Sequence, residues 1–177
     1  MATKTEVANF EDTVLTHLDS AYNLARWLTR NATDAEDVVQ EACLRAFKFF
    51  GGFRGVDGRA WLLTIVRNTA YTWMQHHRVK ELTVPLDEST DQLESHDPSP
   101  ELLVLRSAEH EALRLALEEL PIEFREVLVL RELEELSYKE IAGITEVPVG
   151  TVMSRLARGR KRLQQALLGQ ARAEVAS

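Results

Sequence analysis

From Phe10 to about Arg30, apolar residues recur at Val14, Leu15, Leu18, Ala21, Tyr22, Ala25 and Leu28, the spacing of a helix that buries one face. Asn31-Ala32 interrupts the pattern. Thr33, with Glu36 three residues on, predicts a capping box that opens a second helix. This helix is expected to bury Val38, Val39, Ala42, Ala46 and Phe49 and to expose Asp37, Gln40, Glu41 and Lys48. Gly51, Gly52, Gly55 and Gly58 mark a flexible connection carrying Phe53 and Arg54. A third helix, from about Arg59 to His77, bears Trp61, Tyr71 and Trp73. Residues 82–100 contain Pro85, Pro98, Pro100, several Ser, Thr and Asp and no basic residue, and read as a linker. Ser99-Pro100-Glu101 predicts the start of a fourth helix, with Pro at its first position and an apolar stripe of Leu102, Leu105, Leu113, Leu117 and Leu120. Pro121 starts a short helix carrying Phe124, Val127, Leu128 and Leu130. No strand alternation of any length occurs. The expected fold is all-α, with two small helical domains at 10–80 and 102–170 joined by an acidic linker at 81–101.

The C-terminal stretch is the most specific. Ser137, with Glu140 three residues on, predicts a capped helix, and Pro148 and Gly150 break the chain before a new periodic run. In that run Val152, Leu156, Leu163 and Leu167 share one face, while Thr151, Ser154, Arg155, Arg158 and Arg162 lie on another. This is the plan of a helix-turn-helix, whose second helix packs by one side and offers donors to a major groove by the other.

Charge sharpens that reading. The chain is net −7, which by itself argues against nucleic acid, but the charge is unevenly placed. Residues 1–80 hold 10 basic and 9 acidic side chains, 81–101 none and 7, 102–149 5 and 11, and 150–177 6 and 1. Positive charge thus gathers at the proposed reading helix of an otherwise acidic protein. Such a chain should bind non-specific DNA weakly alone and suits delivery to DNA by something larger. Cys43 is the single cysteine, which excludes an internal disulfide and a cysteine metal cluster. Its apolar neighbours predict a buried, inert thiol rather than a redox sensor. The longest apolar runs are too short to cross a bilayer and no signal pattern precedes the first helix, so a cytoplasmic location is expected.

Three segments in order carry a resemblance. Thr33-Asp-Ala-Glu-Asp-Val-Val-Gln-Glu-Ala-Cys-Leu-Arg-Ala-Phe47 resembles the polymerase-binding segment (region 2.2) of bacterial sigma factors. Phe53-Arg54 with Arg59-Ala-Trp-Leu-Leu-Thr-Ile-Val-Arg-Asn68 resembles the promoter-melting and −10 reading segment (regions 2.3 and 2.4). The run from Leu117-Glu-Glu-Leu-Pro121 onward resembles regions 4.1 and 4.2. The order, the spacing and the lack of a middle domain are similar to the compact extracytoplasmic-function (ECF) group of the sigma-70 family, from about Phe10 to Leu168.

The resemblance implies roles. Asp34, Asp37, Gln40 and Glu41, at spacings of three, four and seven, would form an acidic docking face for a basic coiled coil of core RNA polymerase. Arg54, Arg67, Asn68 and Tyr71 would meet the −10 element, where stacking faces and cations hold unstacked bases. Trp61 is read as a core anchor, and His76, His77 and Arg78 as phosphate contacts rather than metal ligands. For the −35 element, Arg155 and Arg158 are base-edge candidates, with Thr151 and Ser154 near the helix start. Arg160, Lys161 and Arg162 would contact phosphate or solvate the helix end. The acidic linker would pass through the polymerase near the template strand. A separate anti-sigma factor would provide control, and no cofactor is implied. Two positions depart from the family pattern: Met153 stands where many relatives have a basic residue, and Glu146 where many have Gly in the turn.

Rival readings are a sigma-factor mimic that titrates an anti-sigma factor and a free-standing helix-turn-helix regulator. The first would not need a complete basic reading helix or an aromatic −10 surface; the second generally needs its own dimerisation or ligand domain. An enzyme is disfavoured, because the chain has no glycine-rich phosphate loop, nucleophile–base signature or paired metal motif.

Overall fold

The first expected helix is three pieces in the computed structural model, which describes residues 3–83 and 103–176. Helix α1 (Lys4–Thr13) opens on a capping box in which the Glu6 carboxylate accepts from the Thr3 N–H at 2.7 Å. A 3-10 turn at Leu15–His17 leads into α2 (Leu18–Thr29), which ends where Arg30 turns left-handed. Helix α3 (Ala32–Phe49) is capped by Asn31 and not by Thr33: Asn31 is extended and its Oδ1 accepts from the Asp34 N–H at 2.9 Å, leaving Thr33 inside the helix. Helix α4 (Gly58–Thr83) runs beyond the expected stop at His77, so the first three residues assigned to the linker are its last turn. Residues 84–102, including most of the acidic tether, Pro100 and Leu102, lie outside the described residues.

Four further helices follow: α5 (Leu103–Glu119), α6 (Ile122–Leu128), α7 (Tyr138–Thr145) and α8 (Val149–Val175). A π-helical turn at Val129–Leu133 separates α6 from α7. Pro121 precedes the first residue of α6 at its cap, and the Ser137–Glu140 capping box is present at α7. Pro148 is the cap of α8, with Gly150 already inside its first turn. Every regular element among the described residues is helical, so the fold class is all-α.

In the N-terminal half, α2, α3 and α4 pack together around Leu24, Leu28, Val38, Leu62, Leu63 and Val66. Fully buried Ala21, Ala25, Ala35, Ala42, Ala46 and Ala70 let these helices approach closely. In the C-terminal half α6 lies against α8, and α7 against α8. The halves are not separate: α2 packs on α6, α4 packs on α7, and the buried side chains form one contiguous core from Phe10 to Leu156.

Some expected core positions are wet. Phe49, the last residue of α3, is 60 % exposed, because the helix stops there and Phe50 turns inward instead. Phe50 meets Phe10 at 5.3 Å between ring centroids and Phe53 at 6.0 Å, and Phe53 lies 4.7 Å from Trp61. Trp61 is thus a half-buried member of an aromatic cluster. Val39 is half-buried and Leu113 exposed.

Two backbone positions give direct stability predictions. At Gly58 an added Cβ would sit 2.1 Å from the Thr13 carbonyl oxygen, so the start of α4 fits only because no side chain is there. Gly58→Ala should destabilise the fold by about 1–3 kcal/mol, read as the urea midpoint, whereas Gly51→Ala should be nearly neutral. Nothing lies within 4 Å of a Cβ at Gly51. Glu146, at φ 56° and ψ 39°, ends α7 in the left-handed region, its N–H bonded to the Ala142 carbonyl. A left-handed residue costs about 1–2 kcal/mol without glycine, offset by glycine's extra chain entropy of about 0.5–1. Glu146→Gly should therefore stabilise the protein by about 0.5–1 kcal/mol, seen as a raised Tm.

Candidate docking groove and nucleic-acid interface

On α3, Asp37, Gln40 and Glu41 face α4 across an open groove of about 640 Å³. Its α4 wall is Thr69, Thr72, Trp73, His76, His77 and Lys80. Leu44 and Arg45 complete the α3 wall, and Leu44 is 68 % exposed. The sequence pattern had not singled out Leu44, although it follows Asp37 by seven residues and Gln40 by four on the same helix face. Glu41 is partly satisfied within the helix, accepting from Arg45 Nε at 2.8 Å, whereas Asp37 is exposed. Asp34 is half-buried and lines a different cleft, with Arg30, Met74, Arg78 and Glu119. The four expected docking residues therefore divide into three on the groove and one beside it.

The −10 candidates divide as well. Arg54 and Asn68 are exposed; Arg54 donates to the Gly51 and Phe53 carbonyls at 2.8 and 3.0 Å, which shapes the loop that holds it. Arg67 and Tyr71 instead face α6. The Arg67 Nε donates to Glu126 Oε2 at 2.8 Å and its Nη2 to Oε1 at 3.2 Å, while its guanidinium lies 4.3 Å from the Tyr71 ring centre. Burial alone would lower the Arg67 pKa, but hydrogen bonds and charge from Glu126 outweigh it and raise the group above its ordinary value. Burial, then the Glu126 charge, pushes the Tyr71 phenol up to about 12, so it remains a neutral donor. His77 stacks on Trp73 at 4.8 Å, and no group of side chains among the described residues has the makings of a metal site.

Helix α8 is held by Val152 and Leu156, both buried, and by Gly159. A Cβ at Gly159 would come within 3.1–3.4 Å of Leu128 and Phe124, so this glycine lets α8 lie close along α6. Ser154 and Arg158 are exposed, and the Ser154 hydroxyl donates to the Thr151 carbonyl at 3.0 Å. Thr151 is half-buried at the start of the helix. Arg155 turns toward α6, its Nη1 3.8 Å from Glu126 Oε1. Arg162 lies 5.0 Å over the Phe124 ring, and Arg160 pairs with Glu132 at 2.6 Å. Hydrogen bonding to Glu132 raises the Arg160 pKa. Arg158 and Ser154 are thus presented outward, whereas Arg155 and Arg162 also brace the helix.

Cys43 is half-buried, and burial pushes its thiol pKa up, which disfavours the reactive thiolate. No helix among the described residues is long and apolar enough to cross a membrane.

Comparison with known proteins gives consistent matches. Residues 13–79 match the family model described as Sigma-70 region 2, and residues 110–163 the one described as Sigma-70, region 4. The ECF RNA polymerase sigma factor SigE of Mycolicibacterium smegmatis is 36% identical over 159 residues, covering 90% of this chain and 62% of that relative. The RNA polymerase sigma-H factor of Pseudomonas aeruginosa is 33% identical over 169 residues, covering 89% of this chain and 86% of the relative. Among solved structures, the sigma factor RpoE in complex with the anti-sigma factor NepR from Bartonella quintana superposes with a TM-score of 0.72 at 29% identity, covering 90% of this chain and 96% of that one. CnrH in complex with the cytosolic domain of CnrY gives a TM-score of 0.62 at 25% identity, covering 90% of this chain and 88% of that one.

Proposed function

Because the chain belongs to the extracytoplasmic-function group of the sigma-70 family of bacterial RNA polymerase sigma factors, we propose that it docks its α3/α4 groove on core RNA polymerase and directs initiation at promoters read in two places. The observation that carries this reading is the pairing of two unlike surfaces on one chain. One is the groove whose α3 wall carries Asp37, Gln40 and Glu41 beside exposed Leu44; the other is the outward row of Ser154 and Arg158 on the second helix of a helix-turn-helix. Exposed Leu44 beside two carboxylates and an amide on α3 suits a helix that brings its own Arg and Lys, with the apolar contact supplying affinity and the charges register. Arg54, Asn68, Tyr71 and Arg67 serve the −10 element, and Thr151, Ser154, Arg155, Arg158 and Arg162 the −35 element. Residues 10–80 act as the polymerase-binding unit, 102–170 as the −35 unit, and the acidic stretch at 81–101 as the connection between them. The factor works in the cytoplasm without a cofactor or catalytic chemistry of its own.

The RpoE structure holds a sigma factor with the anti-sigma factor NepR, and the CnrH structure holds CnrH with the cytosolic domain of CnrY. A comparable anti-sigma factor is the expected regulator of this chain. The test of the proposal is association of the full chain with purified core polymerase, followed by gel filtration at low salt. A stable one-to-one complex that weakens when Leu44 is replaced by Ser supports it; no association at low salt overturns it.

A further inference from the structure

We propose that Met153 reads sequence: it meets the 5-methyl group of a thymine in the −35 element, beside the polar readout supplied by Ser154 and Arg158. The inference rests on the sigma-factor reading above for the placement of α8 against promoter DNA. Met153, in the second turn of α8, is 52 % exposed, and Val149, one turn before it, is 41 % exposed. Ala157, one turn after it, is exposed as well. Apolar residues four apart thus form a strip along the reading helix. By the helical period the strip lies about a quarter-turn from buried Val152 and Leu156, and about as far from the exposed row of Ser154, Arg158 and Lys161.

Single exposed apolar side chains are ordinary on a protein surface, but two observations set this strip apart. The first is the chemistry of its flank. Arg160, seven residues after Met153 and on the same side of the helix, is held by Glu132 through its Nε at 3.0 Å and its Nη2 at 2.6 Å. The cation on that side is therefore engaged within the protein, and Met153 is the long side chain left facing outward. The second is the low profile of the helix around it. Gly150 is exposed in the first turn, and a Cβ there would meet nothing within 4 Å, so the chain's own packing does not require glycine. Glycine weakens a helix but lets its backbone approach an outside surface closely. With Gly150 before it and Ala157 after it, Met153 is the side chain that projects.

The major groove gives such a side chain one specific target. Thymine alone among the four bases carries a methyl group on that edge, and apolar contact with it separates thymine from cytosine. Methionine is unbranched and polarizable, so it can settle on a methyl without an exacting rotamer. A cation at this place would hold phosphate and carry little base information, whereas Met153 adds base information and no salt dependence.

The test uses core polymerase assembled with the full chain on its preferred template. Each thymine of the −35 element, on either strand, is replaced in turn by deoxyuridine, which lacks only the methyl group. Initiation by the parent should fall about fourfold at one of these positions, the value of a single methyl removed from water. Met153→Ala should initiate equally from the thymine and deoxyuridine templates, and Met153→Leu should keep the difference. Met153→Lys should lose the difference and steepen the logarithmic salt dependence of promoter binding by about one, as a gained phosphate contact does. Because Met153 is exposed, each variant should keep its Tm within about 2 °C of the parent. Equal initiation by the parent on every deoxyuridine template, a penalty undiminished in Met153→Ala, or a preferred −35 element without thymine on either strand overturns the proposal. A chain that supports no promoter-dependent initiation with core polymerase overturns the sigma-factor reading instead.

Discussion

Reversing one charge, Asp37→Arg, should weaken association with core polymerase by about 100-fold or more while changing Tm by no more than about 2 °C. Asp37 is exposed on the rim of the α3/α4 groove, so its replacement removes no buried contact and should cost within about 0.5 kcal/mol of stability. In the complex, the new guanidinium would face the cations that the groove is built to receive. Like charges set together in an interface cost several kcal/mol, and each 1.4 kcal/mol is about tenfold in affinity. Glu41→Arg should have a smaller effect on binding, because Glu41 already spends part of its charge on Arg45. Titration of labelled chain with core polymerase separates the two variants, and equal affinities for Asp37→Arg and the parent would remove the groove from the account.

Arg158→Ala should cost about 1–3 kcal/mol of discrimination at one base position of the −35 element, roughly 5- to 150-fold, and leave core affinity unchanged. Arg158 is exposed on α8, nearly three turns after the capping Pro148, on the side away from buried Val152 and Leu156. Lys161→Ala offers the contrast. It should weaken all promoters alike and lower the salt dependence of binding, the mark of a phosphate contact. A promoter library randomised at −35 and transcribed with each variant reads the difference: Arg158→Ala flattens the preference at one position, whereas Lys161→Ala shifts the whole distribution.

The parts that could be read from the sequence are those fixed by local chemistry. Ser137 and Glu140 close a capping box because both partners lie within one turn, and Pro148 starts α8 because its ring suits a helix entrance. The apolar face of α8 was readable for the same reason, since Val152 and Leu156 repeat at the helical period. Competition between neighbours was harder. Asn31 and Thr33 are both good caps, and the choice fell to Asn31, whose extended backbone lets its Oδ1 reach the Asp34 N–H.

Least readable was the packing of one half on the other. Glu126 looks like one more acid in an acidic stretch, yet it is fully buried because α6 is enclosed by α8 on one side and the N-terminal helices on another. A faint signal existed. Phe124, Val127, Leu128 and Leu130 crowd the short helix with more apolar residues than one buried face requires, and a helix buried all round must carry its polar residues inward. Leu44 was missed for the opposite reason: an apolar residue at helical spacing looks like core, and only the structure shows it facing water.

Run-off transcription with purified core polymerase on a pool of promoters joins both surfaces in one readout. Transcripts should start from a distinct subset of templates only when this chain is present, fall to background with Asp37→Arg, and change their −35 preference with Arg158→Ala. Transcription that is independent of the chain, or a template choice indifferent to both substitutions, would contradict the assignment of polymerase docking to α3 and promoter selection to α8.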